Sequence, residues 1–424
     1  MRELKDSGIK WIGDIPVNWT VDNPKYHFTQ RKDRATPGMV QFTASQKYGV
    51  ITQTEYMERT GANIVTVQKD FDILKKVCAG DFVIHMRSFQ GGLEYSEQTG
   101  SISSAYVMLI PHETICEPRY YKWFFKSSNY IDALSSTSNL VRDGQAMRWA
   151  NFIQLPIPFP PADEQIRIAD FLDSKCAEIE TLIADIQAQI DVLEQYKRST
   201  ITETVTKGLN PVAEMKDSGI QWIGMMPSHW DCIRGKYILK YIQKPVREGD
   251  GVITCFRDGE VTLRSNRRED GFTVSDKEIG YQGIDVGDLV VHGMDGFAGA
   301  IGISDSRGKA SPVLNVLGTE QNKRYIMYFL RSMAYSDVFL ALATGIRVRS
   351  CDLRWNKLAE LFYPVPPIEE QEAIVAHIDS VLQKTNDVIA DKKEQLAVLE
   401  AYKKSLIYEY VTGKKEVPNV CMDA

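Results

Sequence analysis

The side chains able to carry catalysis are present, but never at a catalytic spacing. Six histidines (His27, His85, His112, His229, His292, His377) show no H-E-x-x-H or other metal-ligand pattern, and no P-D…E-x-K nuclease cluster accompanies them. Seven cysteines (Cys78, Cys116, Cys176, Cys232, Cys255, Cys351, Cys421) form no C-x-x-C pair, which argues against a structural zinc site or a disulfide framework and fits a reducing cytoplasm. The run GFAGAIG at Gly296–Gly302 approaches a glycine turn for a methyl-donor cofactor, but its glycines are out of register and no D/N-P-P-Y/F motif follows. GISDSRGKAS at Gly302–Ser311 has one residue too many between its glycines, and Ala310 where a phosphate loop needs Ser or Thr. These absences point to a chain that does no chemistry of its own and binds no cofactor or metal.

The frame behind these residues is a tandem repeat. Lys5–Trp19 (KDSGIKWIGDIPVNW) and Lys216–Trp230 (KDSGIQWIGMMPSHW) agree at 10 of 15 positions. PPADEQ at Pro160 recurs as PPIEEQ at Pro366, LEQYKRS at Leu193 as LEAYKKS at Leu399, and GDFVIHMRSFQGG at Gly80 echoes GDLVVHGMDGFAG at Gly287. Each half is therefore a globular part followed by a second element.

That second element is helical. Leu172, Cys176, Ile179, Ile183, Ile186, Ile190 and Leu193 follow a 4-3-4-3 spacing, repeated at Ile378, Leu382, Thr385, Ile389, Lys392, Leu396 and Leu399 with a more polar seam. Prolines and acids mark the starts, and Gly208 and Gly413 mark the ends. Each helix needs a partner for its narrow apolar stripe, and the short link to the second half predicts that the two run antiparallel. The globular parts carry short β-rich runs (Val40–Phe42, Asp81–His85, Ala105–Ile110; Val252–Phe256, Asp288–His292, Leu314–Leu317) and helical runs near Arg119–Lys126 and Arg324–Arg331. The expected fold class is α+β: two pseudo-symmetric globular domains, 1–159 and 209–365, with helices over 160–208 and 366–413 and a tail over 414–424.

The net charge of −6 hides a division. Residues 1–160 and 216–365 each carry +2, while 161–215 carries −6 and 366–424 carries −4. The acid is concentrated in the helices, and the globular parts are free to meet phosphate. No stretch reaches the roughly 18 unbroken apolar residues of a membrane span, and the opening MRELKDSGIK has no secretory core, so a cytoplasmic location is expected.

These paired motifs, spanning residues 5 to 413, resemble the specificity subunits of type I restriction-modification systems. The resemblance implies two target-recognition domains, each reading one half of a split, asymmetric double-stranded DNA target, spaced by an antiparallel coiled coil. It implies that the helices dock two methyltransferase subunits, which use S-adenosylmethionine to methylate adenine, and that restriction subunits supply an ATP- and Mg-dependent motor and nuclease. A protein scaffold that reads no DNA is the competing reading.

Base reading needs polar side chains on loops that can enter a groove. In the first domain the candidates are Gln46, Lys47, Tyr48 and Gly49, then Arg87, Ser88 and Gln90, then Asn139, Arg142 and Gln145. In the second they are Arg257, Asp258, Arg264, Asp295, Phe297, Arg347 and Arg349. Because carboxylates on the helices repel phosphate but suit basic protein surfaces, Glu164, Gln165, Asp173, Glu180, Glu370, Gln371 and Asp379 are expected to face the partner subunits.

Overall fold

A computed structural model describes residues 2–67, 71–113, 115, 117–137, 147–267, 278–342 and 353–418. The chain divides into two compact units, one made of residues 1–186 and 394–424, the other of residues 187–393.

In the first unit a four-stranded antiparallel sheet runs in the order Phe28–Arg31, Val107–Pro111, Phe82–Ile84, Glu94–Tyr95. The run FVI is apolar without alternation because both of its faces are covered. Phe82 and Ile84 enter the main core, beside Phe28, Tyr121, Phe125 and Phe152, while Val83 enters a smaller core with Phe42, Val50, Val77, Ile102 and Met108. Phe28 meets Phe82, Tyr121 and Phe152 edge to face, with centroids 5.4–6.0 Å apart. Two hairpin-like pairs close the smaller core, Phe42–Ser45 with Gly49–Thr52 and Lys75–Val77 with Gly100–Ile102.

The second unit repeats this plan. Its sheet runs Leu239–Ile242, Leu314–Thr319, Leu289–His292, Ile301–Ile303. Leu289 and Val291 face the main core and Val290 a second one. Ile253–Cys255 pairs with Val261–Leu263, and Gln282–Ile284 with Gly308–Ala310. The helical runs form as Pro118–Phe124 and Lys323–Tyr335, the latter capped by Asn322, whose side chain accepts from Arg324 N and Tyr325 N.

The aspartates of the two G-D turns fix the strand entries. Asp81 accepts from Cys78 N and pairs with Arg31 at 2.7 Å, and Asp288 accepts from Asp285 N and pairs with Lys244 at 2.6 Å. The two histidines at the strand exits do equivalent work: His85 Nδ1 accepts from Arg87 N, and His292 Nδ1 from Met294 N and Asp295 N.

Two long helices complete the units, Ala162–Lys207 (46 residues) and Ile368–Val411 (44 residues), about 69 and 66 Å at 1.5 Å per residue. They run antiparallel, as the stripe and the short link predict. In the first unit the Phe171 and Tyr410 rings meet at a tilt with centroids 4.4 Å apart and Glu180 pairs with Lys403; in the second Gln189 accepts from Lys392, so numbers rise on one helix as they fall on the other. Leu172, Cys176 and Ile179 are buried in the first unit's core, with Leu406, Ile407 and Val411. The polar members of the seam are accommodated locally: Thr385 is buried with its hydroxyl on the Val381 carbonyl, and Lys392 reaches outward to Gln189. Among the described residues no helix is long and apolar enough to cross a membrane.

Candidate nucleic-acid interface

In the first unit, the turn at Gln46–Tyr48 joins Phe42–Ser45 to Gly49–Thr52, with Gly49 at φ +70°. Gln46 Nε2 donates to the Arg87 carbonyl at 2.9 Å, so two candidate segments 41 residues apart form one surface. The approach demands a glycine opposite, because a Cβ on Gly91 would lie 2.6 Å from Gln46 Cγ. Lys47 and Arg59 both sit 5.2 Å from the centre of the Tyr48 ring, which concentrates positive charge there. Arg87 and Gln90 are exposed. Ser88 is not: it is fully buried and its hydroxyl accepts from His85 N, so its side chain shapes the loop and is closed to DNA.

In the second unit, Arg257 and Asp258 stand at the tip of the turn between Ile253–Cys255 and Val261–Leu263. Arg257 Nη2 lies 2.9 Å from Asp295 Oδ1, which unites the CFRDGE turn with the loop after Leu289–His292. Arg264 is half-buried and donates to Thr254 Oγ1, and Phe297 packs against the main core. Sequence reasoning missed Arg267, which pairs with Asp258 at 2.6 Å and lies over the Phe256 ring at 4.3 Å. Its signal was its place three residues after Arg264, in a run of three arginines within five positions. Burial and the neighbouring Arg257 lower the basicity of His292, against the pull of Asp295, and burial pushes the Cys255 thiol up to about 12. Cys255 is no nucleophile at neutral pH. Among the described residues no group of His, Cys, Asp and Glu is arranged to hold a metal. Asn139, Arg142, Gln145, Arg347 and Arg349 lie outside the described residues.

The residues expected to face partner subunits are mostly turned inward. Glu164 accepts from Trp19 Nε1 at 2.9 Å and from Arg2 Nη2 at 2.7 Å, and only 8% of its side chain is exposed. Glu370 accepts from Trp230 Nε1 at 3.1 Å and meets His229 at 2.8 Å. Gln165 is buried between the Pro160 carbonyl and Glu117 N, and Gln371 between the Pro366 carbonyl and Asn322 N. Asp173 serves Arg119 and Trp123, and Asp379 serves Arg324 and Tyr328. Only Glu180 stays largely exposed, beside Lys403. The P-P-x-x-E-Q motif is thus a joint: its carboxylate answers the tryptophan that closes each opening motif, a contact spanning about 140 residues of chain that no local spacing reveals. The signal available was the co-repetition of Trp19 and Trp230, whose buried Nε1 groups need acceptors.

The far ends of the helices close on the same joints. Tyr120 Oη donates to the Val411 carbonyl and Tyr325 Oη to the Val205 carbonyl. Gly413 and Gly208 turn at φ +69° and +72°, and a Cβ added at either would lie 3.0 Å from Trp19 or Trp230 respectively.

No family model matches the chain. A putative type I restriction enzyme MjaX specificity subunit of Methanocaldococcus jannaschii is 23% identical over 325 residues, covering 73% of this chain and 71% of that one. The type I restriction enzyme MjaVIII specificity subunit of the same organism is 25% identical over 286 residues, 63% of this chain and 64% of that relative. Both relatives are named as type I restriction enzyme specificity subunits, and it is to these proteins that the chain is similar. The fold is also similar to that of a solved structure: a chain from a study of complex assembly and conformational transition of the type I R-M system aligns with TM-score 0.65 at 14% identity, over 95% of this chain and 99% of that one.

Proposed function

We propose that this chain is the DNA-reading, non-catalytic subunit of a type I restriction-modification complex, each globular unit reading one half of a bipartite, asymmetric target. The observation that carries this reading is the contrast inside the repeat. The joints Trp19–Glu164 and Trp230–Glu370 are the same in both units, while the equivalent loops present Gln46, Lys47 and Arg87 in one and Arg257 and Asp295 in the other. A shared residue cannot distinguish two half-sites; differing loops on one frame can.

The long helices would then set the gap between half-sites, helices of 66–69 Å being commensurate with about two DNA turns of 34–36 Å. Their exposed acidic faces, with Glu180 among them, would dock two methyltransferase subunits. S-adenosylmethionine would be bound by those subunits, and ATP and Mg by restriction subunits, leaving this chain without a cofactor.

The test is co-expression with the modification subunit in a methylation-free host, followed by long-read mapping of modified adenines. A split motif with two fixed halves and a constant gap is the expected result. An assembled complex that adds no methylation would instead favour the scaffold.

A further inference from the structure

Two clefts in the second unit share one wall. A cavity of about 590 Å³ is lined by Phe256, Arg264, Arg267 and His292, and one of about 520 Å³ by Arg198, Arg331 and Tyr335; Arg257 and Asp258 border both. The turn bearing them is therefore a ridge with cations on either side.

The ridge is held firmly. Arg267 grips it from one flank through Asp258 and Glu260 at 2.6 and 3.0 Å. Arg331 grips the other, donating to the Asp258 carbonyl at 2.7 Å and to Tyr335 Oη at 2.8 Å. Arg257 points away from these anchors, with 61% of its side chain exposed, and its guanidinium is oriented by Asp295 at 2.9 Å. Asp295 is placed in turn by its own backbone: its N–H donates to His292 Nδ1 at 3.0 Å and its carbonyl accepts from Ala298 N at 2.9 Å.

We propose that Arg257 and Asp295 together read one G·C base pair in the half-site of the second unit, an inference that rests on the DNA-reading function above. The guanidinium fork matches guanine O6 and N7 in the major groove, and a carboxylate beside it accepts from the N4 amino group of the paired cytosine. The same carboxylate argues against a phosphate contact for Arg257, since it would repel the phosphate oxygens; a backbone contact needs charge alone and no orienting partner. Asp258 and Arg267 act as positioning residues that keep the ridge upright.

The experiment selects from a randomised DNA duplex library with the full chain assembled with its modification subunit, comparing wild type with Arg257→Ala, Arg257→Lys and Asp295→Asn. Thermal unfolding of each variant confirms an unchanged fold. The expected result is loss of discrimination, roughly tenfold or more, in one G·C column of one half-site, with the other columns and the gap unchanged. Arg257→Lys should keep overall affinity better than Arg257→Ala while still relaxing that column, and Asp295→Asn should weaken the same column. Uniform weakening of every column, relaxation at an A·T column, or no change would each overturn the assignment while leaving the DNA-reading function standing. A wild-type complex that selects no split site would overturn that function, and this inference with it.

Discussion

The two units are alike where they meet the helices and unlike where strands open into loops. Behind the first unit's loop, Glu94 is buried, with Lys126 donating to it and to the Gly91 carbonyl, and His85 Nε2 3.6 Å away. Behind the second unit's loop the equivalent positions are Gly302, where a Cβ would lie 1.9 Å from the Gly259 carbonyl oxygen, and Arg331, which lies over the Tyr335 ring and holds the CFRDGE turn. One loop is anchored by a buried charge pair, the other by an apolar strand and an arginine at the rim. The frame thus admits different loop supports without changing its joints.

The largest effect that would break this comparison lies in the first unit alone. Lys126→Met leaves Glu94 buried without its counter-charge and should destabilise that unit by about 3 kcal/mol, read as a lowered denaturant midpoint. Arg331→Met removes a rim contact and should cost the second unit about 1 kcal/mol or less, while altering DNA selection. Equal losses would mean the supports are not different in kind.

The joints should respond alike. Gly413→Ala places a Cβ at 2.4 Å from Pro16 Cγ at φ +69°, and Gly208→Ala places one at 3.0 Å from Trp230 at φ +72°; losses of about 1–2 kcal/mol are expected in calorimetry, the larger at Gly413. Tyr120→Phe and Tyr325→Phe each strip one buried donor from a helix-end carbonyl, for about 1 kcal/mol apiece.

The smallest effect concerns acid. Although burial pushes the Glu164 carboxyl up, hydrogen bonds from Arg2 and Trp19 outweigh it and hold the group below its usual range. A carboxylate depressed in the folded state contributes stability that is present above its ordinary value near 4.5 and is lost as pH falls through the folded value. Glu164→Gln should flatten that acid limb in urea titrations between about pH 5 and 3; an unchanged slope would remove Glu164 as its source.

Much of the frame was legible in the sequence because it rests on local periodicity. The 4-3-4-3 stripe, the glycines ending the helices and the uninterrupted apolar strands each follow from burial rules acting over a few residues. The inward turn of Glu164, Gln165, Glu370 and Gln371 was not legible, since acids at a helix start look solvated until a distant tryptophan is folded against them. Ser88 misled for a similar reason: a serine after a strand reads as a loop donor, and only the folded loop turns its hydroxyl onto His85 N. In the candidate loops, Gln46, Arg87, Arg257 and Asp295 were picked out by residue type, but their pairing across 41 and 38 positions belongs to the fold.

The chain also carries an order of completion. The second unit is a single contiguous stretch, residues 187–393, whereas the first needs residues 394–424 beside its opening 186. On a ribosome the first unit's core lacks Leu406, Ile407 and Val411 until the second unit has been fully synthesised. Leu172, Cys176 and Ile179 share that core with residues from the far end of the chain, so the first unit's core can be completed only after the second unit's residues have been made.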